Sequence, residues 1–159
     1  MGVSVETRWI LSVSASCFHL AADLHERSLA ESKTDVDPQL AESFKFALSR
    51  LQDLLDVCRA PWPRFWEHLL PQSAVIANNY ELADVVLRKS VGGQQSPERI
   101  RDLAGIFDGL EGATRNAFPD MLQQLETPAL ELKNQWQQYG DRLLSTLAQM
   151  SEPVLVTGR

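Results

Sequence analysis

The chain has 159 residues, 44% of them apolar and 23% charged, with 8 glycines, 8 prolines and 2 cysteines. This is the composition of a globular domain long enough to bury a core without disulfides or structural metal. Its net charge of −6 disfavours nucleic acid as a partner, because neutralising phosphates takes a basic face, and no segment forms a basic arm or an acidic tail.

The only membrane-like stretch in the sequence is Trp9–Phe18, closed by His19. It is too short to span a bilayer, which takes about 20 apolar residues. A secretory signal is disfavoured as well, since Glu6 lies where positive charge belongs and apolar spacing continues past the end through Leu20 and Leu24. The stretch therefore reads as part of a first helix from Val5 to about Lys33, with Trp9, Val13, Cys17, Leu20 and Leu24 along one face. With two cysteines and no leader, the cytoplasm is the expected compartment, and no membrane association is expected.

Asp37-Pro38 predicts the start of a second helix, because Asp caps well and proline is favoured where its missing N–H costs nothing. It runs to about Arg59 with Leu40, Phe44, Ala47, Leu48, Leu51, Leu54, Leu55 and Cys58 buried, and the short link before it makes an antiparallel hairpin. Pro61 to Pro71 holds three prolines and predicts only a turn or two of linker helix between Pro63 and Leu70. A third long helix is expected over Ser73–Ser90, and Gly92-Gly93 to Pro97 forms the clearest loop.

Ser96 and Pro97 predict the cap and first turn of a fourth helix that carries Ile100, Leu103, Ala104, Phe107, Leu110 and Ala113 before stopping at Phe118-Pro119. Thr127-Pro128 is expected to kink the next helix or to start it afresh. The apolar series Leu125, Leu132, Trp136, Tyr139, Leu143, Leu147 and Met150 then predicts a long final helix, ended by Pro153 and followed by a short tail. Together these elements predict an all-α chain. Its expected form is an up-and-down antiparallel bundle of four to five long helices with a short Pro/Trp-rich linker helix, a single domain over 1–152 with a tail over 153–159.

Chemistry is harder to place. His19 and His25 lie six residues apart on one helix, roughly 120° around its axis, so they cannot chelate one ion together. His19 with Asp23, and His68 from another segment, is the one set that could converge on a metal, and neither a Glu-x-x-His pair nor His-Glu-x-x-His is present. The plainer expectation for His19 is a partly buried, hydrogen-bonded side chain. Cys17 and Cys58 continue apolar faces, and their offset of about 7.5 Å along the hairpin argues against a disulfide. There is no nucleophile elbow, phosphate loop or dinucleotide fingerprint, and no cofactor is expected.

Two clusters stand out instead. Gly105, Gly109 and Gly112 share one side of the fourth helix, although each mid-helix glycine costs about 0.8–1 kcal/mol relative to alanine. Close approach of a neighbouring helix accounts for them best, ahead of a hinge in the helix or a binding groove along it. Trp62, Arg64, Phe65 and Trp66 form an aromatic loop that either plugs the end of the core or, exposed, makes a protein-binding hot spot. The glutamine-rich face of the last helix reads as polar exterior, and buried between chains it would favour self-association. The expected function is a non-enzymatic helical interaction domain, adaptor- or scaffold-like, that binds a protein partner or itself. The alternative is a bundle with a small-molecule or metal pocket between its helices.

Overall fold

The computed structural model describes residues 12–29 and 38–150. They form six α-helices: α1 Val13–Leu29, α2 Pro38–Cys58, α3 Trp62–Ser73, α4 Asn79–Val91, α5 Pro97–Ala117 and α6 Met121–Met150, with no strand among the described residues. The chain divides into two compact units. One comprises residues 12–121 and so holds α1 to α5, and the other contains α6.

Within the first unit α5 packs against α1, α2 and α4, while α3 packs against α1 and α4. The reason lies in the composition of α5. Ile100, Leu103, Ala104, Ile106, Phe107, Leu110, Glu111 and Thr114 are all buried, a band broader than the single stripe of a surface helix. Phe107 meets Phe18 of α1 with ring centroids 4.9 Å apart and Phe65 of α3 at 6.4 Å. Leu51 and Leu55 of α2, Leu69 of α3 and Leu82, Val86 and Leu87 of α4 complete the same core.

The ends of the helices follow local chemistry. Asn78 caps α4, its side-chain oxygen accepting from the N–H groups of Tyr80 and Glu81 at 3.0 Å each, and Ser96 caps α5 by accepting from the Arg99 N–H at 3.4 Å. Arg59 closes α2 in the left-handed region at φ 55°, where the Ala60 N–H reaches back to the Leu55 carbonyl at 2.9 Å. Gly92 and Gly93 take positive φ after α4, a conformation glycine adopts without steric cost.

Several sequence expectations need correction. The linker is a full helix: α3 runs from Trp62 to Ser73 and carries Pro71 inside its last turn. The third long helix begins at Asn79 rather than Ser73, because Asn78 supplies the cap and the chain turns through residues 74–78, leaving Val75 exposed. α6 starts at Met121 and runs through Pro128 without a fresh start there. The expected extensions of the first helix to Val5 and Lys33 and the tail over 153–159 lie outside the described residues. No described helix is long and apolar enough to cross a membrane.

Because Phe107 is fully buried between two aromatic rings, truncation leaves a cavity that three helices line. Phe107→Ala is expected to lower the unfolding free energy by about 3–5 kcal/mol, read from the midpoint of chemical denaturation at unchanged slope.

Candidate functional site

The aromatic cluster is the most built feature of the molecule. α3 begins with Pro61 in extended conformation and Pro63 in its first turn, which fixes where the helix starts and sets Trp62 and Trp66 one turn apart on one face. Phe65 is fully buried and Trp66 nearly so, Trp62 is half-buried, and Arg64 is exposed. Of the four residues expected to form a contact patch, only Arg64 and part of Trp62 therefore reach the surface. Burial of Phe65 and Trp66 agrees with the aromatic segment plugging the core.

α1 and α2 each contribute one polar residue to this cluster. His25 is buried, at 8% exposure, and its imidazole stacks on the Trp62 indole with centroids 3.7 Å apart and planes inclined by 23°. Trp62 in turn stacks on Trp66 at 5.6 Å, and its Nε1–H donates to Gln52 Oε1 at 2.7 Å. Gln52 Nε2 donates to Asp56 Oδ1 at 2.8 Å. Burial pushes the His25 imidazole below its ordinary value, against a smaller opposing pull from Glu26. The Trp66 Nε1–H is buried without an acceptor, so the cluster gives up one hydrogen bond for ring packing.

His25 replaces His19 as the histidine that matters to the fold. Cys17, Phe18, Ala21, Ala22, Leu24 and His25 form the buried face of α1, and His19 lies outside the arc they span on the helix. His19 accordingly is exposed. Asp23 is exposed too and pairs with Arg27 at 2.8 Å, and His68 is half-buried on α3. Among the described residues no three His, Cys, Asp or Glu side chains come together as a metal site. The expected convergence of His19, Asp23 and His68 is therefore not formed.

Both cysteines are free and buried. The Thr114 hydroxyl lies 3.0 Å from Cys17 Sγ and 3.0 Å from the Leu110 carbonyl oxygen, which ties the start of α1 to the end of α5. Burial pushes the Cys17 thiol up to about 11, and burial also raises Cys58. Neither has the thiolate character a nucleophile needs.

The glycine cluster divides. A Cβ at Gly109 would meet the Ala47 Cβ of α2 at 3.8 Å, an ordinary contact, whereas one at Gly105 or Gly112 would meet nothing within 4 Å. Helix–helix approach thus accounts for Gly109 alone, and α5 shows no break at these positions. Beside this face, between α2 and α5, lies a surface cavity of about 330 Å³ lined by Leu54 and Ile106 together with Arg50, Arg99, Asp53 and Asp102.

In the other unit, α6 carries Leu132, Tyr139 and Leu143 at 57%, 58% and 50% exposure, all on the side marked by Leu125. Trp136 folds back over Gly140, where a Cβ would come within 2.7 Å of the indole. Gln123, Gln124, Gln135, Gln137 and Gln138 are exposed.

Comparison of the chain with protein families, with characterised proteins and with solved structures finds no match.

The glycine and cysteine geometry can be tested directly. Gly105→Ala and Gly112→Ala add a methyl group to open space on a helix and are each expected to stabilise the chain by about 0.5–1 kcal/mol, measured by denaturation; a loss of stability would show a contact at these sites. Cys17 is expected to resist alkylation in the native chain at about pH 8 and to react once the chain is unfolded, followed by the mass shift.

Proposed function

We propose that this chain is a non-enzymatic helical interaction module, adaptor- or scaffold-like, which holds a protein partner or a second copy of itself. The observation that carries the reading is the apolar stripe of α6. Three large apolar side chains stand half-exposed or more on one side of a 30-residue helix. Solvent-exposed apolar surface aligned in this way is what an amphipathic helix offers to a groove or to another helix. The raised Cys17 and Cys58 thiols offer no activated nucleophile among the described residues, which favours the binding reading over a catalytic one.

In this reading residues 1–152 act as one functional domain, with α1 to α5 as an up-and-down antiparallel bundle, and 153–159 as its tail. Free cysteines fit a reducing cytoplasm, and a net charge of −6 favours protein over nucleic acid as the partner. A second reading, a small-molecule pocket between helices, is favoured by the cavity between α2 and α5, whose two arginines and two aspartates around apolar walls suit a ligand bearing both charges.

Native mass spectrometry of the full chain across a concentration series tests the first reading. A dimer at micromolar concentration is expected, and the double variant Leu132→Asp with Tyr139→Asp is expected to weaken association by at least about tenfold, since interface anchors typically contribute more than 1 kcal/mol each. The helical content read by circular dichroism should not change. A chain that stays monomeric throughout the series sinks the self-association part of the proposal.

A further inference from the structure

The two halves of α1 are held by different means. Its N-terminal half is fixed to α5 by Phe18 against Phe107 and by the contact of Cys17 with Thr114. Towards its C-terminal end Glu26, Arg27 and Ser28 are exposed, and the residues buried there are Leu24, in the core, and His25, laid flat on Trp62 at 3.7 Å and 6.3 Å from Trp66. A titratable ring that is 8% exposed thus fastens one helix end to the corner where α2 meets α3.

We propose that the His25–Trp62 stack is a pH-sensitive latch: protonation of His25 releases the C-terminal turns of α1 from the α2–α3 corner while the rest of residues 12–121 stays folded. Burial against two indoles opposes protonation of the imidazole unless a neighbour offers charge or the ring moves further into water. Among the described residues the surroundings offer little of the former. From α3 it meets the two indoles, with Arg64 and Glu67 on exposed positions. On α2, Asp56 is held by Gln52, which is itself bonded to the Trp62 indole. On α1, Asp23 is paired with Arg27, and Glu26 favours the cation without cancelling the effect of burial.

The sign follows from linkage. The closed latch holds His25 below its ordinary value of 6.5, so the open form binds the proton more tightly. The latch contributes in full above the ordinary value and weakens as pH falls from there toward the lowered one. Each pH unit by which His25 is lowered corresponds to about a tenfold preference of the proton for the open form.

The experiment is an NMR titration of the full chain from about pH 7 to about pH 5, following the His25 ring and amide exchange along α1, with the ring signal assigned by its absence in His25→Gln. His25 is expected to titrate below 6.5 and, as it does, amides in the last two turns of α1 to lose protection relative to those around Phe18, once exchange rates are corrected for their intrinsic dependence on pH. Tryptophan emission should change in parallel. In His25→Phe, which keeps a ring against Trp62 but takes no proton, the acid response should vanish; if that variant fails to fold, the wild-type titration decides alone. Titration at or above 6.5, the result expected if imidazolium is held on the indole by a cation–π contact, overturns the proposal. So does loss of protection throughout residues 12–121 in a single step, or none in α1.

Discussion

Phe107 touches a phenyl ring of α1 on one side and of α3 on another, and the helix that carries it also covers α2 and α4. The rest of the unit over 12–121 depends on this arrangement. An amphipathic helix stabilises a fold by burying one face; α5 buries a much wider band, and even its polar residues are drawn in. Glu111 is buried and meets Arg115 at 3.0 Å, the carboxylate at 9% exposure and the guanidinium largely in solvent. Such a pair satisfies a charge that burial would otherwise penalise. It adds little stability of its own, since the arginine end is screened by water.

Much of this is legible in the residues, for identifiable reasons. Pro38, Ser96 and Pro97 mark helix starts through local chemistry that tertiary structure has no cause to override, and α2 and α5 begin where they indicate. Periodicity finds the buried faces of the same two helices, since steps of three and four along the chain translate directly into one side of the cylinder. The departures are equally physical. Three prolines make 61–71 look broken, yet two lie in the first turn or before it and Pro71 sits in the last turn, so a three-turn helix survives. Asn78 is hidden as a cap because Val75 and Ile76 before it look like a helical face.

The candidate sites are less legible than the fold. Trp62 and Trp66 stand out by composition, but their partners His25 and Gln52 come from two other helices, and no spacing within one segment could bring the four together. Histidine geometry on α1 carries half of the answer: if His19 and His25 face different directions, one is inside, and only the register of Phe18 and Leu24 says which. The glycines draw attention for a cost that the structure explains at Gly109 alone. The exposed series on α6 is visible in sequence as periodicity, whereas the exposure of Leu132, Tyr139 and Leu143 is a property only the three-dimensional arrangement can give.

The corner between α2 and α3 also bears on the order in which the chain assembles. Gln52 and Trp62 are ten residues apart, and the left-handed turn at Arg59 with the Ala60-to-Leu55 hydrogen bond lies between them, so this corner closes a short loop at small entropic cost. Cys17 and Thr114 are separated by 97 residues. The corner is thus placed to form early as a local nucleus. Docking of α1 onto α5 closes a far longer loop and so costs more chain entropy than the aromatic corner.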